Sequence, residues 1–307
     1  MNMVTMKLNQ KPRKMDVSIG IMAYNEERII HHLLGALLNQ KTSMVNIKEI
    51  IIVSSGSTDN TDRIVKEYAK SYEQIKLVVQ KERKGKVHAI NDFLKLAKSE
   101  IIVLESADTI PKEDTIERLC LPFQDENIGI VSSRPVPKID KKNYLSFVVA
   151  LQWDLHHRIS INKPKFGELI AFRKLFTNLK NNAVDEEYIA MLMTKIGYRF
   201  AYVPNAIVYN SGPKTISDFI RQRRRIHCGH LELKKKSNYK PASMDNFLVI
   251  GKVFNILTLR NFFPIIFAVM LEGYGRLLGR IDYYSNKRHY VWDIAKSTKQ
   301  FNHGKNP

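Results

Sequence analysis

Cysteine is nearly absent. The chain holds 2 among 307 residues, Cys120 and Cys228, far apart in sequence. A disulfide framework is therefore excluded, and a Cys/His zinc site has too few closely spaced ligands. No uninterrupted apolar run reaches the roughly 20 residues that a membrane-spanning helix needs. The first residues, MNMVTMKLNQKPRKMD, are polar and basic and lack the apolar centre of a secretion signal. Internal repeats and low-complexity tracts are missing as well. A reducing, cytoplasmic compartment is the expectation. Acids are scarce: 30 Asp and Glu stand against 49 Lys and Arg, a formal charge of +19. That surplus predicts an anionic partner, whether nucleotide phosphates, nucleic acid or an acidic lipid surface. What remains is ordinary globular composition, 44% hydrophobic and 26% charged. It excludes a disordered, collagenous or coiled-coil chain, and the length suffices for one large domain or two modest ones.

Residues 1–16 carry Lys7, Lys11, Arg13 and Lys14 without periodicity and read as a basic arm. From Val17 the pattern becomes regular. Val17–Met22, Glu49–Val53, Ile75–Val79, Ile101–Leu104 and Ile128–Val131 are short, Ile/Val-rich runs that fit buried strands. Between them lie helical stripes: Ile30, Leu33, Leu34, Leu37 and Leu38 after Asn25 as N-cap, then Ile64, Val65 and Tyr68, then Ile90, Phe93, Leu94 and Ala97. Such alternation predicts an α/β fold, a mostly parallel sheet flanked by helices. After about residue 140 the alternation stops. A helix is expected from Asp185, with Ile189, Leu192, Met193 and Ile196 on one face and Gly197 as its terminator. Residues 214–240 hold nine Lys/Arg and two acids, 9 − 2 = +7. Phe247–Leu278 is the most apolar long stretch, interrupted by Lys252, Arg260, Pro264, Glu272 and Arg276. It reads as amphipathic membrane-surface helices or a packed hairpin, with a single crossing as the alternative.

Ligands on open parallel sheets bind at the carboxyl ends of the strands, which singles out the segments after each run. Ala23-Tyr24-Asn25-Glu26-Glu27 offers an aromatic face and carboxylates, or simply a capped helix start. Ser54-Ser55-Gly56-Ser57 forms a glycine turn whose N–H groups suit either a phosphate or an ordinary strand–helix connection. Lys81, Arg83, Lys84, Lys86 and His88 surround Gly85, as a diphosphate clamp or a solvated charge run. Glu105-Ser106-Ala107-Asp108 places carboxylates where a hard divalent cation would bridge a diphosphate. Asp185-Glu186-Glu187 opens a helix, either as dipole-complementing acids or as a general base. Gln222-Arg223-Arg224-Arg225-Ile226 carries the guanidinium forks suited to phosphate.

In order and spacing, AYNEE, IIIVSSGSTDNT, KGKVHAIN, ESADT, GELIAFRK, DEE with GYRFAYVPNA, and QRRRI resemble the inverting, GT-A-fold nucleotide-sugar glycosyltransferases of family 2, over roughly residues 17–230. The resemblance implies transfer of a sugar from a nucleotide diphosphate to an acceptor hydroxyl or phosphate, by single displacement with inversion and with Mg²⁺ or Mn²⁺. It places Ala23, Tyr24, Glu26, Glu27 and Ser55 at the nucleoside, and Lys86, Gln222 and Arg225 near the diphosphate. It also puts Ala107 and Asp108 in the metal motif, with Asp108 as ligand, and makes Asp185 and Glu186 the catalytic pair. Ser54 and Ser55 replace the usual Asp pair, Ser106 replaces the first metal-motif Asp and leaves Glu105 or water to substitute, and Ile226 stands for Trp.

Three regions follow: the arm 1–16, a GT-A domain 17–230, and a C-terminal helical region 231–307 that associates with a membrane surface. The acceptor expected beside it is a glycan, lipid-linked or polyisoprenyl molecule on the cytoplasmic face. Two other classes compete, a basic nucleic-acid-binding protein and a catalytically inactive nucleotide-sugar binder. The first needs aromatic residues interleaved with the cations, and residues 214–240 supply only Phe219 and Tyr239.

Overall fold

The computed structural model describes residues 14–139, 143–237 and 239–291. Most of the expected basic arm lies outside them, and its last two residues open the first strand. Strands β1 (Met15–Ala23), β2 (Val45–Ser55), β3 (Ile75–Gln80) and β4 (Ile101–Ser106) pair in parallel in the order β3-β2-β1-β4. Helices α1 (Ile30–Leu38), α2 (Thr61–Ser71) and α3 (Lys86–Leu96) make the crossovers. Alternate strand residues serve opposite layers. Ile19 and Ile21 pack with Leu33 and Leu34 of α1 on one face, while Ile51 and Val53 meet Phe93 of α3 on the other. Helix and sheet approach most closely at Gly20, where an added Cβ would stand 2.4 Å from the Phe93 ring. Gly20→Ala is therefore expected to cost about 1–3 kcal/mol by overpacking, read as a lower urea midpoint at unchanged slope.

The chain does not remain parallel. β5 (Thr109–Pro111) and α4 (Thr115–Cys120) precede β6 (Ile128–Pro137), α5 (Tyr144–Ser160), β7 (Leu169–Arg173), α6 (Asp185–Ile196) and β8 (Arg199–Asn210). β7 runs antiparallel between β4 and β6, β8 pairs in parallel with β6, and β5 closes the edge antiparallel to β8. Two strands, β7 and β8, thus lie beyond residue 140, where the strand–helix alternation legible in the sequence stops. The helix at Asp185 forms as the apolar spacing predicts, and Gly197 ends it in the left-handed region at φ +95°.

Helix α7 (Ile216–Ser237) is followed by α8 (Asn246–Phe254) and α9 (Phe262–Tyr284). The division expected between residues 230 and 231 falls inside α7, which packs along α9. Here Phe219, Ile265 and Ala268 form a third apolar cluster with Val148 and Leu151 of α5. By length and composition α9 suffices to cross a membrane. Its outward face and that of α8 expose large apolar side chains, including Phe247 at 90%, Phe263 at 73% and Met270 at 66%.

Candidate active site

A cavity of about 500 Å³ opens at the carboxyl ends of β1, β2 and β4. Ala23, Tyr24, Glu26, Ser55, Lys86, Ala107, Asp108, Gln222 and Arg225 all line it, so segments far apart in the chain converge. Of the basic group around Gly85, only Arg83 and Lys86 join the wall, whereas Lys81, Lys84 and His88 point to solvent. Gly85 has φ +101° and sits under the Tyr290 carbonyl, where a Cβ would come within 2.5 Å. Only glycine lets the loop before α3 turn so tightly against that segment.

On the Tyr24 side of the cavity, the Arg83 guanidinium lies 4.3 Å from the centroid of the Tyr24 ring. The aromatic face expected to receive a base is thus already stacked with a cation, and a guanidinium plane is itself a stacking surface for bases. The Ser55 hydroxyl donates to Gln80 Oε1 at 2.7 Å. Glu26 lines the cavity, but Glu27 does not: its carboxylate accepts from the Asn60 N–H at 3.0 Å and the Asn60 amide at 2.9 Å. Nor does Asn25 cap a helix. It sits at φ +53° and accepts from the Thr58 N–H at 2.7 Å, so residues 25–27 brace two loops and α1 starts only at Ile30. Short polar side chains satisfied by a neighbouring loop do not nucleate a helix.

Beside Asp108 stands a residue that belongs to the GELIAFRK motif but was assigned no role from the sequence. Glu168, held at φ +54° just before β7, lines the cavity with Asp108 and accepts from Asn210 Nδ2 at 3.3 Å. Burial, then the charges of Asp108 and Glu186, push its carboxyl up to about 7. Glu105 does not replace the missing metal-motif Asp. Its Oε1 accepts from the Thr109 hydroxyl, it is 2% exposed within β4, and burial drives its carboxyl well above the usual range. It lies outside the cavity wall, where Glu168 rather than Glu105 accompanies Asp108.

The acid pair lies just behind this wall rather than on it. Asp185 is fully buried and its Oδ2 is 3.4 Å from Lys86 Nζ, while Glu186 Oε1 is 2.5 Å from the same ammonium and its side chain is 15% exposed. Burial lifts the Asp185 carboxyl to about 6 against the pull of Lys86. Burial acts the same way on Glu186, but the Lys86 charge and hydrogen bond outweigh it and hold that carboxyl below its ordinary value. Lys86 thus joins the cavity to the pair. Arg225 lines the same wall, donates to the Ala183 carbonyl at 2.8 Å, and is brought down to about 10 by burial. The acids at the start of α6 do more than complement its dipole, because they form a buried carboxylate pair facing two cations.

Helix α7 supplies the opposite wall. Gln222 Oε1 is buried there without a hydrogen-bond partner, an orphaned acceptor of the kind that a ligand satisfies. Arg224 forks onto both carboxylate oxygens of Asp282, which His289 Nε2 also meets at 2.8 Å. That junction brings Lys287 and His289 to the cavity, and Trp153 of α5 completes the wall. Arg223 pairs with Glu272 at 3.4 Å. The three consecutive arginines are therefore engaged inside the protein and do not form an outward-facing nucleic-acid platform.

The profile described as Glycosyl transferase family 2 matches residues 18–181, and that described as Glycosyl transferase family group 2 matches residues 101–292. Poly-beta-1,6-N-acetyl-D-glucosamine synthase of Staphylococcus aureus (strain COL) is 27% identical over 276 residues, 81% of this chain and 65% of that protein. The Staphylococcus epidermidis synthase is 24% identical over 71% of this chain and 55% of its own length. The probable glycosyltransferase YdaM of Bacillus subtilis (strain 168) is 26% identical over 70% and 55%. This chain thus spans only about 55–65% of the curated relatives it matches. Among solved structures, the mannosyltransferase PcManGT from Pyrobaculum calidifontis, in complex with GDP-Man and Mn²⁺, superposes with a TM-score of 0.66 at 20% identity, covering 93% of this chain and 92% of that one. Glucosyl-3-phosphoglycerate synthase from Mycobacterium tuberculosis, with Mn²⁺, UDP and phosphoglyceric acid, gives 0.53 at 20% identity over 72% and 78%. These likenesses place the fold among the GT-A glycosyltransferases.

Proposed function

The chain belongs to glycosyl transferase family 2, and from that premise we propose that it transfers a sugar from a nucleoside diphosphate to an acceptor hydroxyl by a single inverting displacement. One observation carries this reading: Lys86 and Arg225 line the same cavity as Asp108 and Glu168 and stand against a buried acid pair. The cations suited to donor phosphates thereby stand directly against the candidate proton acceptors.

In the reaction the acceptor hydroxyl gives its proton to Glu186, the more accessible of the two acids. Its oxygen attacks the anomeric carbon as the bond from that carbon to the diphosphate breaks. Asp185, wholly buried, holds Lys86 in place from behind. Lys86 and Arg225 meet the charge that develops on the departing diphosphate, and such preorganised cations act strongly in a site shielded from water. Arg83 and Tyr24 stack the base, and Ser55 and Gln222 present polar atoms to the donor.

Asp108 and Glu168 fit a hard divalent cation, because burial, and then the charge of Asp108, raise Glu168 to about 7 and leave this carboxylate wall in want of a counter-charge. Among the described residues no group of three or more His, Cys, Asp or Glu has metal-site geometry. Asp108 and Glu168 would hold a Mg²⁺ or Mn²⁺, which would supply Lewis-acid neutralisation of the leaving group. A ligating carboxylate must be deprotonated, so protons compete up to the Glu168 value. Between pH 8 and pH 6, Mn²⁺ affinity in the presence of nucleoside diphosphate is expected to fall by up to about tenfold, and Glu168→Gln should flatten that slope. Electron paramagnetic resonance of free Mn²⁺ checks this without turnover.

The exposed apolar faces of α8 and α9 beside a basic chain support a glycan or lipid-linked acceptor at the cytoplasmic face of a membrane. NMR of the first-formed product tests the displacement directly: an anomeric centre retaining the donor configuration contradicts it.

A further inference from the structure

A second cavity, of about 520 Å³, lies between α7, α9 and the turn leading into α8, and shares no lining residue with the first. Five basic side chains face it, His227, Lys234, Lys240, Arg276 and Arg280, and no acid lines it. Arg276 is partly committed, meeting Glu272 at 2.7 Å and the Ser243 carbonyl at 3.3 Å. Among the described residues, Lys234, Lys240 and Arg280 pair with no carboxylate, and all three are exposed. His227 is the telling member: it is only 9% exposed, and its Nε2 is buried without a hydrogen-bond partner. Burial, with Arg276 and Arg280 beside it, keeps the ring neutral at physiological pH. It therefore brings a neutral, unpartnered ring nitrogen to the pocket rather than another charge. A desolvated, unpartnered polar nitrogen is costly, and among cations its N–H tautomer gives an anionic oxygen a further hydrogen bond.

The rim of this pocket is apolar. Leu277, itself a lining residue, belongs to a stripe of α9 side chains spaced by three and four, Met270, Tyr274, Leu277, Ile281 and Tyr284, each more than half exposed. Asn246 lines the other edge, and the next residue, Phe247, is 90% exposed. A cluster of basic side chains beside a helical apolar stripe matches the chemistry of an anionic amphiphile. We propose that this pocket holds the phosphate of an anionic lipid headgroup, with the lipid chains lying along the α9 stripe. The inference deepens the membrane-surface reading above and rests on it, but it names a built site in place of general attraction to a charged surface.

The test uses the full chain and vesicles of phosphatidylcholine with or without phosphatidylglycerol. Each basic residue at an anionic surface contributes about fivefold, so the double variant Lys240→Ala/Arg280→Ala is expected to lose about 30-fold in partition to phosphatidylglycerol vesicles. The variant Lys66→Ala/Lys70→Ala removes the same charge from exposed positions of α2 and should bind as the wild type does. His227→Leu, which changes no charge, is expected to lose at least about tenfold in calorimetric affinity for soluble dihexanoyl phosphatidylglycerol. Equal loss in both double variants, or undiminished lipid binding by His227→Leu, would overturn the proposal. So would tighter binding of inorganic phosphate than of the short-chain lipid, or a chain that ignores vesicles and self-associates through this face. Nucleotide-sugar binding, measured on the same samples, should be unchanged in all three variants. A wild type that binds the lipid but no nucleotide sugar sinks the proposed transferase and leaves this pocket standing; the reverse result sinks the pocket alone.

Discussion

Glu186→Gln lowers kcat by about 10²–10⁴-fold, the range that one positioned general base contributes, while donor binding changes little. The expectation follows from access. Asp185 is fully buried, whereas the Glu186 side chain retains 15% exposure beside the lysine that lines the cavity. Their protonation separates the two roles further. A base must be deprotonated, so activity falls as the pH drops through its pKa. Glu186 is held below the ordinary carboxylate value, so the acidic limb of kcat should lie below about 4.5. Asp185 is lifted to about 6, so a limb near 6 assigns the proton to Asp185 instead. Asp185→Asn should cost less than Glu186→Gln, because its part is to hold Lys86.

Lys86→Met is the second large effect, and it strikes stability and function together. Removing one partner of a buried ionic group costs about 3–5 kcal/mol, since the remaining charges lose their counter-ion. In a chain of this size that lowers Tm by on the order of 10 °C at pH 8. The loss is also pH-dependent, with a sign fixed by linkage. Without the ammonium, burial and mutual repulsion raise both carboxyls above their unfolded values. Stability is then fully present below the unfolded pKa, near 4, and drains away as pH rises through the higher folded values. The variant should therefore regain stability between pH 8 and pH 5, followed by circular dichroism melts. A penalty independent of pH would mean that Lys86 is not the counter-ion of the pair. Transfer should be nearly abolished at every pH, because the same ammonium faces the donor diphosphate.

Much of this architecture was readable before any coordinates. The runs at Val17, Glu49 and Ile101 became β1, β2 and β4 because strands covered on both faces are rich in Ile and Val, and the shorter run at Ile75 became the half-exposed edge strand β3. The later strands hid for physical reasons. β7 is only five residues long and β8 contains Pro204 with a mixed burial pattern, so neither carries a clean period of two. Most of the expected cavity residues were found because each follows a strand, the place where an open sheet binds its ligand. Glu27 misled because an acid at a presumed helix start looks the same whether it faces a ligand or braces the Asn60 loop. Glu168 stood in the GELIAFRK motif, but its pairing with Asp108 is a tertiary contact between β4 and β7 that no local spacing announces. Lys287 and His289 reach the cavity through the Arg224–Asp282 junction, a tertiary contact without local periodicity.

The central claim is that one crevice holds an activated sugar by its diphosphate against Asp108. A thermal-shift panel of UDP-, GDP- and dTDP-sugars, with and without Mn²⁺, on wild type and Asp108→Asn tests it most directly. One sugar nucleotide, at about 100 times its Kd and with the cation present, should stabilise the wild type by about 2.7 kcal/mol and leave Asp108→Asn unshifted. A wild type indifferent to every donor, or an Asp108→Asn variant stabilised equally, would contradict the account.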